Sequence, residues 1–218
     1  DDPNKITQLI SDLLTDDGVF ISESHYLASL IDTLQYDTIY HEHLRYYSLL
    51  SLKYLLNNNG LHPFHAKKII THGGSIRVYA SKLNQYNEKK SIKEILNEEK
   101  DTICLTSLLK FKSDVLNSKL KLISLLDEVK SSGYKVFGIS APSRASTLIN
   151  YTGLDEGIID CIVEIKGSHK IGKYMPGSRI PVLEESILYK EQPEYALMFS
   201  WHIANELIPK LKANGYKG

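Results

Sequence analysis

Residues 135–151 read KVFGISAPSRASTLINY, and this stretch decides the fold class. The residues from Lys135 to Ile139 form a short apolar run typical of a buried strand, and those from Arg144 to Tyr151 have helical spacing. Small residues fill the turn between them, from Ser140 to Ser143. A buried strand that passes through a tight turn into a helix predicts an α/β unit with parallel strands.

The segments on either side extend this unit. Downstream, Ile158 to Ile165 and Tyr195 to Ser200 predict two more strands, and a basic, glycine-rich loop lies between them over 167–181. Upstream, a stretch rich in Lys, Glu, Leu and Ile runs from Ser91 to about Ser131 and predicts one long helix or two in series, ended by Gly133. We therefore expect a helical connector followed by an α/β domain.

The beginning of the chain predicts another α/β element. Asp2 and Pro3 are typical of a helix start, and Val19 to Ile21 predicts a short buried strand, for which we expect parallel neighbours. Further on, His65 to Thr71 and Ser75 to Ser81 predict two strands joined by a tight turn. Because the first strand would need neighbours that nothing upstream supplies, we expect the chain to be part of a longer protein.

Composition and charge exclude several classes of protein. The 218 residues include 26 basic and 26 acidic side chains, so a net charge of zero gives no basis for broad binding to nucleic acid or to acidic membranes. No apolar run approaches the roughly 18–20 residues that span a bilayer. The two cysteines, Cys104 and Cys161, do not form a CxxC pair, so neither a disulfide framework nor a cysteine zinc site is expected. We expect a cytoplasmic protein.

A polar, aromatic segment from Tyr36 to Tyr47 contains the first candidate catalytic residues, Tyr40, Glu42 and His43. A histidine can accept and return a proton near neutral pH, a carboxylate can fix its tautomer, and a tyrosine hydroxyl can stabilise a developing enolate. The residues alone also allow a polar loop whose histidines are solvated or cap the helix that begins after Ser48.

Three further segments could hold a ligand. The glycines of His72-Gly73-Gly74-Ser75 would permit close approach to the backbone, although a plain hairpin turn has the same composition. The turn from Gly138 to Arg144 precedes a helix N-terminus, a place where phosphate groups bind. Glu164 follows at about the sequence spacing at which Rossmann folds place an acid that binds the ribose. The turn is not a true GxGxxG motif. The composition of the loop 167–177 suits binding of an anion, although a solvated basic loop has the same composition. Trp201 directly follows a strand, where it could contact a ligand or pack in the core.

These segments, taken in order, resemble the S-adenosylmethionine-dependent sugar C-methyltransferases, which methylate deoxysugars carried on a nucleoside diphosphate. The resemblance covers nearly the whole chain. The motifs that carry it are Tyr40-x-Glu-His43, His72-Gly-Gly-Ser75, the turn and helix Gly138–Tyr151, His169-Lys-x-Gly-Lys-Tyr-x-Pro-Gly177, and Trp201. The chain departs from the family at Ser140, Arg144-Ala145, Glu164 and His202, where Gly, Lys-Gly, Asp and Asn are more usual. These departures leave the bound sugar and nucleotide open.

The resemblance implies an α/β architecture in three parts. Residues 1–85 would form the end of a Rossmann-type methyltransferase domain, residues 86–132 a helical connector, and residues 133–218 a smaller Rossmann-like domain that binds the nucleotide sugar. The implied cofactor is S-adenosylmethionine, whose binding loop would lie mostly before Asp1. The zinc-binding cysteines of the family would lie there too, so no metal site is expected within this chain, and we expect the chain alone to be inactive.

The resemblance also implies roles for individual residues. His43 is similar to the family's base, which removes a proton from the carbon beside a keto group, while Tyr40 and Glu42 would hold and polarise the sugar. The implied substrate-binding residues are Gly73, Gly74, Ser75, Ser143, Arg144, Asn150, Glu164, His169, Lys170, Tyr174 and Trp201. The expected partner is a nucleoside diphosphate sugar; the sugar, the nucleotide, the methylated carbon and the oligomeric state stay open.

Two other functions compete with this one. The chain could be a non-catalytic nucleotide-sugar-binding module that has lost its cofactor domain, and the upstream sequence would separate that module from the enzyme. A nicotinamide-dependent dehydrogenase built on the turn after Gly138 is disfavoured because the glycine fingerprint is broken.

Overall fold

The structure, a computed structural model, describes residues 2–82 and 85–218, with the backbone alone at His72. The chain divides into two compact units. Unit 1 contains Asp1–Gln35 and His43–Ser113, and unit 2 contains Tyr36–Glu42 and Asp114–Gly218. The predicted domain limits, 1–85, 86–132 and 133–218, stay a prediction. No helix in the described ranges is long and apolar enough to cross a bilayer.

In the described residues, unit 1 combines four α-helices, the first third of a fifth and one sheet. Its helices are α1 (Pro3–Leu13), α2 (Leu27–Asp32), α3 (Leu49–Asn58), α4 (Lys90–Thr102) and the beginning of α5 (Leu105–Ser131). Its strands are β1 (Val19–His25), β2 (His62–Ile69) and β3 (Ser75–Ser81). Asp2 caps α1 by accepting a hydrogen bond from the backbone of Asn4, and Ser48 and Ser51 form a capping box at α3, so both predicted helix starts are confirmed.

The sheet of unit 1 corrects one expectation. Its order is β1-β3-β2, and both pairs of strands are antiparallel, so the parallel neighbours expected for the first strand are wrong. The strand also continues beyond the predicted Val19–Ile21 to His25, and Ile21 is exposed. One face of the sheet supplies Ile76, Val78 and Ala80 to a core that α3 and α4 complete. An antiparallel sheet needs cover on one face only, and this arrangement satisfies that requirement.

Unit 2 is the α/β unit that the stretch 135–151 predicts. Its strands are β4 (Val136–Ile139), β5 (Cys161–Glu164), β6 (Val182–Glu184) and β7 (Tyr195–Met198). Its helices are the last two thirds of α5, α6 (Ser143–Thr152), α7 (Ser186–Glu191) and α8 (Ala204–Ala213). The strands are all parallel, in the order β6-β5-β4-β7. The α/β fold class is therefore confirmed, and the helical connector proves to be two helices in series, α4 and α5.

The order of the strands identifies where a ligand would bind. The chain runs from β4 outward to β5 and β6, and then returns to place β7 on the other side of β4. Apolar side chains alternate between the two faces: Val136 joins the core formed with α6, and Phe137 joins the core formed with α7 and α8. In such doubly covered sheets, ligands bind at the carboxyl ends of the strands beside this reversal. The reversal point here is the end of β4.

Candidate functional site

The turn after β4 is held in place by side chains from two neighbouring segments. Glu164, at the end of β5, accepts a hydrogen bond from the backbone N–H of Ala141 at 2.6 Å. Lys170 donates from Nζ to the carbonyl oxygen of Ala141, also at 2.6 Å. Ser140 has a left-handed backbone, with φ of 60°, and its hydroxyl donates to the hydroxyl of Ser200. Glu164 and Lys170, both predicted to bind substrate, thus shape the turn.

A pocket of about 490 Å³ opens beside this turn, within unit 2. Six of the predicted residues line it: Tyr40, Ser143, Asn150, His169, Lys170 and Tyr174. The lining also includes His41, Ser146, Thr147 and Lys173, which were not among the predicted site residues. Helical spacing could have found Ser146, Thr147 and Asn150 together, since residues three and four apart share a face of a helix.

The electrostatics of this pocket suit an anion. Lys170 is half-buried, and Lys173 and His169 are exposed on the same loop. The N-terminus of α6 also opens on the pocket, and Pro142 at its N-cap position supplies no side-chain hydrogen bond. Backbone N–H groups at a helix start and lysine ammonium groups are the usual partners of phosphate oxygens.

Arg144 and Trp201 lie in one polar cluster within unit 2, in which Arg144 and Asp37 are buried and Trp201 is partly exposed. The carboxylate of Asp37 accepts a hydrogen bond from Nε1 of Trp201 at 2.8 Å and lies 3.4 Å from Nε of Arg144. The Arg144 guanidinium also stacks on the Trp201 ring at 5.2 Å and approaches Nδ1 of His202 at 2.9 Å. Because arginine only donates, His202 must accept at Nδ1. Arg144 and Trp201 were both predicted to bind substrate. In the structure, the Arg144 guanidinium and the Trp201 indole N–H contact other side chains of the protein instead.

This cluster holds the segment that carries Tyr40 and Glu42. Tyr40 donates a hydrogen bond from its hydroxyl to Glu42 Oε2 at 3.3 Å. Burial and then the Glu42 carboxylate raise the pKa of Tyr40 above its ordinary value, while Arg144 and Ser143 act in the opposite direction. The Tyr40 phenol therefore stays protonated at neutral pH and can donate a hydrogen bond to an oxygen that gains negative charge.

Asn150 has a second function beside lining the pocket. Its amide group donates to the carbonyl oxygens of Ser146 and Pro176, at 2.7 and 2.9 Å. Gly177 follows with a φ of +81°, and a Cβ atom there would collide with the Asn150 amide. Asn150 thus ties the basic loop to α6.

The remaining predicted residues belong to unit 1. His43 stacks on His25 with ring centroids 5.6 Å apart, and Nε2 of His25 lies 3.2 Å from Oε1 of Gln35. The amide nitrogen of Gln35 donates to the carbonyl oxygen of Gly73 at 2.6 Å. His43 and the turn at Gly73 are separate motifs in the sequence. In the structure they are linked through His25 and Gln35, neither of which was predicted as a site residue.

The glycines of this turn make room for protein side chains. A Cβ atom on Gly73 would lie 2.6 Å from Oε1 of Gln35, and one on Gly74 would lie 2.5 Å from the Ser29 side chain. Both glycines have positive φ, +87° and +124°. Ser75 is buried and donates its hydroxyl hydrogen bond to the carbonyl oxygen of Thr71. Binding of substrate by Gly73, Gly74 and Ser75 stays a prediction.

Comparison with known proteins assigns the family. Residues 70–218 match the family model described as the C-methyltransferase C-terminal domain. The chain belongs to this C-methyltransferase family. Over 214 residues it is 32% identical to the C-methyltransferase NovU of Streptomyces niveus, a match that covers 97% of this chain and 51% of that protein. The chain thus spans about half the length of the curated relative that it matches. Membership of the family confirms the resemblance stated from the motifs.

Among the described side chains, no three histidine, cysteine, aspartate or glutamate residues lie together in a way that could hold a metal ion. Of the two cysteines, Cys161 is buried in β5, and desolvation raises the pKa of its thiol to about 12. That thiol stays protonated at neutral pH, so Cys161 packs as a small apolar residue.

Proposed function

We propose that this chain provides the base and the nucleotide-sugar site of an S-adenosylmethionine-dependent enzyme that methylates a carbon of a nucleotide-linked keto-deoxysugar. The observation that carries the proposal is the pocket at the end of β4, where an uncapped helix start, Lys170, Lys173 and His169 converge. Membership of the C-methyltransferase family supports the type of reaction. A diphosphate between a nucleoside and a sugar is the anion that such a pocket fits.

The proposed chemistry needs a base and a hydrogen-bond donor acting together, because a proton beside a keto group is weakly acidic. His43 takes the proton from the carbon next to the keto group, and the electron pair of that C–H bond moves onto the keto oxygen. Tyr40, which stays protonated, is the donor proposed for the resulting enolate oxygen; its single hydroxyl hydrogen would turn from Glu42, its acceptor in the structure, to that oxygen. S-adenosylmethionine supplies the methyl group that the enolate carbon accepts.

We assign the turn after β4 to the sugar nucleotide and not to the methyl donor. The turn lacks a glycine-rich fingerprint, and the carbonyl oxygen and N–H of Ala141 are occupied by Lys170 and Glu164. What the turn offers is the N-terminus of α6, a site for phosphate oxygens. A nicotinamide site at this turn is not proposed, and membership of the C-methyltransferase family does not favour a non-catalytic module.

Binding of dTDP to this chain tests the assignment of the pocket. We expect Lys170→Ala to weaken dTDP binding by about 1–3 kcal/mol, which is roughly 5- to 150-fold in Kd, because a charge-assisted hydrogen bond is lost. Lys173→Ala removes a charge from the same pocket without a contact to the turn, so it should weaken binding by a smaller factor. Isothermal titration calorimetry measures all three affinities.

Lys166→Ala is the matched control, because Lys166 is exposed in the same connection after β5 and lies outside the pocket lining. We expect its affinity for dTDP to equal that of the unchanged chain. Equal affinities for all four proteins would place the diphosphate elsewhere. Thermal melting of each variant separates a binding defect from loss of the fold.

A further inference from the structure

A chain of contacts in unit 1 leads from His43 to the protein interior. The His43 ring lies against His25 with an angle of 23° between the two ring planes, and Tyr46 approaches its ring from 6.5 Å in a tilted arrangement. His25 in turn contacts Gln35, whose side chain is completely buried. His25 is therefore fixed at one edge while its face supports His43.

The contacts of Gln35 determine its orientation. One end of its amide lies 2.6 Å from the carbonyl oxygen of Gly73 and 2.6 Å from the hydroxyl of Thr33. A backbone carbonyl only accepts, so that end must be the NH₂ group. The Thr33 hydroxyl donates its own hydrogen to the carbonyl oxygen of Ser29. The Thr33 hydroxyl oxygen is therefore available to accept a hydrogen bond from Gln35. The other end of the amide, next to His25, is therefore the oxygen.

This orientation fixes the proton on His25. An amide oxygen can only accept, so Nε2 of His25 must carry a hydrogen and donate it to Gln35. A histidine whose ring is held by such a bond keeps one orientation, as do histidines oriented by carboxylates or carbonyls in other active sites. Gln35 thus acts on His43 indirectly, through the plane of the His25 ring.

We propose that His25 is a positioning residue for His43, and that Gln35 anchors it by fixing its Nε2–H tautomer. This inference rests on the proposed role of His43 as the base. The flat face of His25 sets the plane of the His43 ring, and so the direction from which His43 can reach a proton.

Two substitutions separate the ring of His25 from its hydrogen bond. His25→Phe keeps an aromatic face but cannot donate to Gln35, whereas His25→Asn removes the ring and, because its side chain ends where Nδ1 of histidine lies, the bond to Gln35 as well. The assay is solvent-deuterium exchange at the carbon beside the keto group of dTDP-4-keto-6-deoxyglucose, in the enzyme that contains this chain. We expect turnover to fall about 10- to 100-fold in His25→Asn with little change in KM, and by a smaller factor of about three to ten in His25→Phe, where the ring remains but its anchor to Gln35 is lost.

His62→Asn is the matched control, because His62 is also half-buried and also in unit 1, on β2. Circular dichroism checks that each variant folds. Equal turnover in His25→Asn and His62→Asn would overturn the proposal, as would equal losses in His25→Asn and His25→Phe.

A second measurement distinguishes this proposal from the proposed function. In NMR spectra of the ¹⁵N-labelled chain, Nε2 of His25 should carry the proton, and the His43 ring protons should move downfield in His25→Asn but not in His25→Phe, since a stacked ring shields them. If these spectra behave as expected while His43→Ala retains exchange, His43 is not the base and the stacking stands as a structural fact. Unchanged His43 signals in His25→Asn would refute the positioning itself.

Discussion

Asp37→Ala should lower the free energy of unfolding of unit 2 by about 3–5 kcal/mol. Asp37 and Arg144 expose less than a tenth of their side chains, and the carboxylate also accepts the Trp201 hydrogen bond. Removing it leaves a buried guanidinium without its counter-charge, which is the costly loss, and also takes away the acceptor of the Trp201 indole N–H. Urea unfolding followed by the fluorescence of Trp201, the single tryptophan of the chain, measures the change directly.

Two controls separate the charge of Asp37 from its hydrogen bond. Asp37→Asn retains an oxygen for Trp201 but loses the charge, so its stability should fall between those of the unchanged chain and Asp37→Ala. Asp127→Ala removes an exposed carboxylate from α5 and should change the unfolding free energy by no more than about 0.5 kcal/mol. A loss below about 1 kcal/mol in Asp37→Ala would mean that the Arg144 charge is solvated and that this cluster does not hold the segment.

His43→Ala should abolish solvent-deuterium exchange at the carbon beside the keto group of the sugar. A positioned general base contributes about 10²- to 10⁴-fold to the rate of proton transfer, so the variant should lose at least a factor of 100. The measurement is NMR detection of deuterium in dTDP-4-keto-6-deoxyglucose incubated in D₂O with the enzyme that contains this chain. No methyl donor is needed, because proton removal precedes methyl transfer.

The affinity for dTDP provides the internal control for this variant. The pocket of unit 2 has no contribution from His43, so dTDP should bind His43→Ala and the unchanged enzyme equally well. His62→Ala is the matched histidine variant; it should keep exchange, since His62 is half-buried on β2 of unit 1 and is neither the proposed base nor part of the pocket lining. Unimpaired exchange in His43→Ala would assign proton removal to another residue.

The sequence predicted unit 2 well because apolar runs flank a recognisable turn. Lys135 to Ile139 and the helix after Ser143 are where the spacing placed them, at β4 and α6. The short elements β6 and α7 were not predicted, because strands of three residues and helices of six carry too little periodicity. Their positions depend on the parallel pairing of β6 with β5, which is a tertiary contact.

The wrong expectation for the first strand has a similar cause. Three apolar residues, Val19 to Ile21, are typical of a strand buried on both faces. The strand instead pairs along its whole length with β3, Ile21 opposite Tyr79 and Ser24 opposite Ile76, and one of its faces remains open. Whether a face of the strand is covered depends on pairing partners 50 or more residues away in the sequence. The local sequence pattern does not reveal those partners.

The sequence predicted which residues belong to the candidate site, but it did not predict which of them contact one another. The basic loop and the polar segment suggested Lys170, His169 and Tyr40, and the structure brings them to one pocket. Nothing in the spacing showed that Asp37 would bind Arg144, because one carboxylate in a polar segment has many possible partners. Gln35 and His25 were missed for the same reason: their contacts with His43 and Gly73 exist only once β1 and the turn before β3 are folded.

Carbon methylation of a nucleotide-linked keto sugar is the central claim, and transfer of a labelled methyl group tests it most directly. The enzyme that contains this chain would be incubated with dTDP-4-keto-6-deoxyglucose and S-adenosylmethionine carrying a ¹³C-methyl group, and the product would be examined by NMR. We predict that the labelled methyl group is bonded to the sugar carbon beside the keto group, and that none is transferred by His43→Ala. A labelled methyl group on oxygen, or equal transfer by His43→Ala, would contradict the proposed reaction.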